Sequence, residues 1–412
     1  MAKLLKGACI FGQSGGPTAV INSSAYGVIK TALESENITK VLGAEHGILG
    51  VINDRLFDMS KEDSYELSLL LNTPSSELGS SRYKLADPEK DDSDYKKILD
   101  TFKKYDVRYF FFNGGNDSMD TCNKISRYME KVGYECRVMG VPKTIDNDLA
   151  LTDHCPGYGS AAKYIATSVC EVYKDSKVYN TGTVVVIEIM GRHAGWLAAA
   201  SSLAELAGCK PDLIYLPEIP FDMDKFIEDT SRIYNETGNC LVCVSEGICF
   251  EDGSFVSNAK PSATDGFGHA QLGGLSAILA NEIKVKTGAK VRPIEFSLLQ
   301  RAAAHIASKT DVEEAFMAGK AAVEAALEGK TGFMVAFRRD ENSKEYKCNL
   351  TYVPLAEVAN KEKKFPLEWI ENGTQVKSEF FDYALPLIQG EPERVYENSL
   401  PRYARLKKEL AK

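Results

Sequence analysis

Short apolar runs alternate with amphipathic stretches along the first third of the chain. LLKGACIFGQ reads as a strand, AVINSSAYGVIKTAL as a helix, KVLGAEHG as a strand, and YFFFNGGNDS as a strand that ends in a glycine turn. Apolar runs of strand length separated by helix-period segments predict βαβ units and a largely parallel sheet. The pattern restarts near residue 160, where TGTVVVIEIMGRHAGWLAAASSLA, PDLIYLPEIP and NCLVCVSEGI again give strand, loop, helix, strand and strand. A second α/β unit is therefore expected. Ligands of open parallel sheets bind beyond the carboxyl ends of the strands. Four unusual stretches sit in that position: GQSGGPT after GACIF, NGGNDS after RYFFF, MGRHAGW after VVVIEI and SEG after LVCV. They are expected to converge on one rim, or on two rims that face each other.

Composition narrows the class. With 412 residues the chain is long enough for two domains. A net charge of −9 argues against a nucleic-acid partner, whose phosphate backbone is gripped by clustered Lys and Arg. No apolar stretch is long enough to span a bilayer, and the basic start MAKLLKGACIFGQSGG lacks the apolar core of a secretory signal, so no membrane partner and a cytoplasmic location are expected. The ten cysteines are scattered and read as reduced thiols. Cys240 and Cys243 form a lone C-x-x-C inside a strand-like run, which aims them at opposite faces; neither a redox pair nor a zinc site is expected there.

If the ligand is an anion, its positive partners must be local. GQSGGPTAVINSS puts glycines before a helix, where backbone N–H groups either cradle a phosphate or simply turn the chain. NGGNDSMDT adds Asp117 and Asp120, which either hold Mg²⁺ beside a phosphate or cap the next helix. In VPKTIDNDL, Thr144, Asp146 and Asp148 alternate and share one face of an extended segment. One such Asp can take a proton from an attacking hydroxyl, while Lys143 reaches a phosphate as a point charge. Arg192 in MGRHAGW, Arg82 in LGSSRYK, and Arg292 and Arg301 in KVRPIEFSLLQRAA together supply the cationic site that an acidic chain needs.

SGGPTAVIN, LGSSR, GGND, PKTIDND, MGRHAGW, PEIPF, SEG and the arginines around FSLLQR occur in one order, and over residues 5 to 335 the chain resembles the phosphofructokinase family. The resemblance implies an α/β fold with two Rossmann-like three-layer α/β/α domains and the active site in the cleft between them. It implies transfer of a phosphoryl group to the 1-hydroxyl of fructose 6-phosphate, with Mg²⁺ as cofactor. Asp146 matches the general base, with Thr144 and Ile145 beside it and Asp148 in support. Arg192 matches the arginine on the phosphoryl in flight, Met190 and Gly191 line the sugar, and Glu246 binds its hydroxyls. Arg301 matches a 6-phosphate ligand, and Arg292 one that reaches the neighbouring subunit, so a homo-oligomer, dimer or tetramer, is implied. Gly15 and Arg82 match donor-phosphate contacts.

Lys143 and Asp117 stand where ATP-using members carry glycine. An Asp at 117 occupies the place and repeats the charge of a nucleotide's α-phosphate, and Lys143 neutralises the leaving phosphate, so pyrophosphate is the implied donor. ATP as donor, sedoheptulose 7-phosphate as acceptor and a non-catalytic binding homologue are the competing readings. Asn116 departs from the family's metal-binding aspartate but keeps an amide oxygen, so Asn116 and Asp117 are the metal candidates. Thr183 replaces a second inter-subunit arginine, and ATDGFGHAQLGG, with His269, reads as an insertion. The donor domain is expected at 1–160 plus about 300–340, and the sugar-phosphate domain at 161–299 plus about 341–412, with the final stretch across the second domain.

Overall fold

The computed structural model describes residues 4–178, 180–257, 272–340, 342–343 and 345–412. His269 and residues 263–271 of the expected insertion lie outside the described residues. Strands β1 (Gly7–Gln13), β2 (Ile38–Ala44), β3 (Leu56–Asp58), β4 (Val107–Gly114) and β5 (Arg137–Pro142) begin a first sheet. Strands β6 (Thr183–Ile189), β7 (Leu213–Tyr215), β8 (Asn239–Ser245) and β9 (Val291–Glu295) form a second, and β10 (Phe333–Arg339) and β11 (Cys348–Pro354) return to the first. The first sheet has the order β11-β10-β5-β4-β1-β2-β3, parallel except at its two edges. The second has the order β7-β8-β6-β9 and is parallel throughout.

Burial on both faces explains why these strands read as unbroken apolar runs. In β1, Cys9 and Phe11 enter one core and Ala8 and Ile10 the other. In β6, Val185, Ile187 and Ile189 face one core and Val184 and Val186 the opposite one. Each sheet is thus the middle layer of an α/β/α sandwich. Cys240 and Cys243 part in the same way, one to each core of the second sheet, and all ten cysteines are free thiols. Among the described residues no helix is long and apolar enough to cross a membrane.

The chain after residue 340 differs from the sequence expectation of a segment confined to the second domain. Strand β11 pairs antiparallel with β10 and completes the first sheet. Phe365, Val376, Phe380, Ala384 and Leu387 do pack into the second domain's core. The last stretch then returns: Ala404 joins the first domain's core, and Asp58 N–H donates to the Glu409 carbonyl at 2.9 Å. Alternation in NLTYVP marks a strand, but which sheet edge it joins is a tertiary choice that the run itself does not encode.

Candidate active site

Loops from the carboxyl ends of both sheets meet around one cavity of about 840 Å³. After β1, Gly15 takes a left-handed conformation (φ 76°) that lets the chain turn over Ser80 and Ser81, whose hydroxyl and carbonyl bond its backbone at 2.7 and 3.4 Å. Its neighbour Gly16 faces the Arg301 and Arg82 guanidinia. Beyond β4 the chain enters the helix Asn116–Lys131, and beyond β5 comes the segment Lys143–Asp148. Lys143 is buried; its N–H donates to the Gly114 carbonyl at 3.0 Å and its Nζ to the Gly16 carbonyl at 2.6 Å. One lysine therefore ties the first three loops together.

Thr144, Asp146 and Asp148 face the cavity as expected, but the segment is not extended: Asn147 takes a left-handed conformation (φ 56°) and Ile145 also lines the cavity, while Asn147 and Leu149 are buried. Thr144 Oγ1 accepts from the Asp146 N–H at 3.1 Å. From the second sheet come Met190 and Arg192 after β6, Glu246 after β8 and Arg301 beyond β9. The Met190 N–H is fixed by Gln300 Oε1 at 3.1 Å, and the Glu246 N–H by the Ile189 carbonyl at 2.8 Å. A Cβ on Gly247 would lie 1.8 Å from the Arg192 carbonyl, so only glycine lets the Glu246 turn close against the Arg192 loop.

Charge is concentrated here and partly shielded from water, with Lys143 buried. Burial pulls the Lys143 amine down to about 7, with Arg301 and Arg82 adding to the effect and Asp146 opposing it. Burial and the Glu246 carboxylate push Asp146 up to about 6 against the pull of Arg192 and Lys143. Asp148 rises to about 7 through burial and Asp146, and Glu246 to about 7 chiefly through burial. Perturbations of this kind gather where groups must exchange protons or grip charge.

The cavity brings together Gly15, Arg82, Asn116, Asp117, Lys143, Thr144, Ile145, Asp146, Asp148, Met190, Arg192, Glu246 and Arg301. Gly191 stands just behind, its N–H directed at the Glu246 carboxylate. Arg292 does not join them: it is exposed on the edge strand β9, beside Glu171 and Asp175. Nor does Asp120, one helical turn beyond Asn116, which pairs with Lys124 at 2.7 Å. Thr183 begins β6, at the end away from the cleft. As a test of metal fit, Asn116 Oδ1 is buried without a hydrogen-bond partner, and Asp117 lies beside it on the cavity wall. Two adjacent oxygen donors suit Mg²⁺.

Sequence reasoning missed Lys84, Glu188, Asn360 and Glu362, all on the wall. Glu188, a carboxylate inside the apolar run VVVIEI, carried a readable signal. Lys84 sits 3.9 Å from Asp117. Asn360 and Glu362 arrive from the C-terminal segment and carried none.

A family model described as "Phosphofructokinase" matches residues 9–326. The chain is 44% identical over 403 residues, 97% of its length and 96% of the relative's, to a protein of Halomonas elongata named pyrophosphate–fructose 6-phosphate 1-phosphotransferase. It is 32% identical over 372 residues, 87% of its length and 93% of the relative's, to a sulfofructose kinase of Alkalicoccus urumqiensis. The crystal structure of a pyrophosphate-dependent phosphofructokinase from Marinobacter aquaeolei superposes with a TM-score of 0.89 at 42% identity, covering 99% of this chain and 98% of that one.

Proposed function

The chain belongs to the phosphofructokinase family, and we propose that it transfers a phosphoryl group reversibly from pyrophosphate to the 1-hydroxyl of fructose 6-phosphate, yielding fructose 1,6-bisphosphate and phosphate. The observation that carries the choice of donor is the pair Asp117 and Lys143, a carboxylate and a buried amine on the wall of one cleft where a nucleotide would need open space. The near full-length similarity to the Halomonas elongata enzyme supports the same reading.

In this mechanism Asp146 accepts the proton of the sugar 1-hydroxyl as its oxygen forms a bond to phosphorus, and the bond from phosphorus to the bridging oxygen of pyrophosphate breaks. Arg192 stabilises the charge on the phosphoryl in flight, and Lys143 offsets the charge that builds on the departing phosphate. Gly15 and Arg82 hold the donor. On the acceptor side, Met190, Gly191 and Glu246 fix the sugar, Arg301 grips the 6-phosphate, and Thr144, Ile145 and Asp148 keep Asp146 in place. Mg²⁺, when held by Asn116 and Asp117, supplies charge neutralisation to the donor's oxygens. The donor is thereby assigned to the first domain and the sugar phosphate to the second. Arg292, exposed on β9, completes the 6-phosphate site of a second copy in a homo-oligomer. The enzyme works in the cytoplasm.

The test is a comparison of donors. Purified protein with fructose 6-phosphate and Mg²⁺ is expected to turn over with pyrophosphate and to leave ATP essentially untouched. Turnover with ATP alone would assign the ATP-dependent reaction, and turnover with neither would leave a binding homologue.

A further inference from the structure

The segment 360–363 lies beyond the family match at 9–326, yet it forms one wall of the cleft. Several contacts hold it there. Glu362 bridges Leu149 antiparallel, and the Lys363 N–H donates to the Asp148 carbonyl at 2.7 Å. Lys363 Nζ donates to the carbonyls of Thr152 and Asp153 at 3.1 and 2.7 Å, and Trp196 Nε1 donates to the Lys363 carbonyl at 3.1 Å. Asn360 Nδ2 reaches Asp120 at 3.2 Å. The strap is thus fastened to the back of the Lys143–Asp148 segment and to the helix that carries Asp117. Its carboxylate sits at the exposed rim of the cleft: Glu362 Oε1 is 2.9 Å from His193 Nδ1, next to Arg192, and Glu362 lines the same cavity as Asp146 and Asp148.

We propose that Glu362 is a positioning residue for phosphoryl transfer, holding the Arg192 loop over the cleft through His193 and setting the charge around the carboxylate that takes the sugar proton. The inference rests on the function proposed above. Glu362 faces His193 and Lys364 on one side and Asp146 and Asp148 on the other; Asp146 in turn faces Lys143, Arg192 and Glu246. Behind burial and the nearer charges, Glu362 contributes to the upward push on both aspartates. Removing its charge lets Asp146 ionise at lower pH.

The experiment is the pH profile of kcat/KM for fructose 6-phosphate with pyrophosphate as donor, in the parent and in Glu362→Gln, Glu362→Ala and Glu362→Asp. The acid limb is expected to move down by roughly a few tenths of a pH unit in either neutral variant, the size expected of an exposed, solvent-screened charge, and to stay near the parent position in Glu362→Asp. Ionisation of the substrates is common to all four proteins and cancels. A purely structural role lowers the plateau without moving the limb. An unmoved limb in a folded neutral variant overturns the proposal, and so does an equal shift in Glu362→Asp. A parent that fails to use pyrophosphate overturns the functional reading instead, so the two failures are distinguishable.

Discussion

Asp146→Asn separates chemistry from folding in one substitution. Asp146 is pushed from 3.8 to about 6, so its carboxylate is costly to keep charged in the folded cleft. A rise of that size corresponds to about 3 kcal/mol at neutral pH. The sign follows from linkage: a carboxyl whose folded pKa is raised binds its proton more tightly when folded, so stability is lost as pH rises through that pKa. The amide keeps the shape and sheds the charge. The variant is therefore expected to be more stable than the parent at pH 7.5 by up to about 3 kcal/mol, with the gain vanishing below pH ~4. Turnover should fall by about 10²–10⁴-fold, because the amide cannot accept the sugar proton, while binding of fructose 6-phosphate is largely kept. In the parent, an acid limb near 6 predicts that kcat/KM falls by roughly tenfold between pH 7 and pH 5. Urea unfolding at pH 4 and 7.5 gives the first quantity, and a coupled assay from pH 5 to 8.5 the second. A limb that survives in the variant belongs to the substrates or to Asp148 and Glu246, which burial also raises. A variant that is less stable at pH 7.5, or a folded one that turns over within about threefold of the parent, refutes the assignment of Asp146 as a strained base.

Two further perturbations test other parts of the structure. Arg292→Ala should raise KM for fructose 6-phosphate by about 10–100-fold, the worth of a charge-assisted bond, with little change for pyrophosphate; mixing it with Asp146→Asn should restore activity if copies share sites, and equal losses on both substrates contradict the placement. His154 is buried between Asp153 and Glu314, at 2.8 and 2.7 Å. Burial disfavours its charge, but Glu314 and Asp153 outweigh burial and raise it from 6.5 to about 9. That contribution, about 3 kcal/mol, is fully present below pH 6.5 and lost as pH rises to about 9; in His154→Gln the corresponding part of the unfolding free energy should no longer vary over that window.

Much of the site was legible because its residues sit where local rules place them. Strands buried on both faces announce themselves as apolar runs, and the loops at their carboxyl ends then have one rim to occupy. Alternation brought Thr144, Asp146 and Asp148 to the cavity wall, but it did not foresee the bend at Asn147 or Ile145 on the same wall. Helical period worked against Asp120, which lies four residues before Lys124 and pairs with it rather than facing the cavity. Asn360 and Glu362 were illegible because their place depends on how a distant segment crosses two domains. Strand β11 was misplaced for a related reason: an edge strand joins whichever sheet the preceding turn brings it to.

The claim that Asp117 and Lys143 select the donor is tested most directly by the ratio of kcat/KM for ATP to that for pyrophosphate, measured in the parent and in Asp117→Gly. Asp117 lies in the first turn of the helix Asn116–Lys131 and lines the cleft wall, so the proposed block acts there. Removing it is expected to raise the ratio by about tenfold or more, the worth of a like-charge contact and a steric block relieved, as ATP turnover appears and pyrophosphate turnover falls. A parent that already prefers ATP, or a folded Asp117→Gly that binds fructose 6-phosphate with the ratio unchanged, contradicts the account.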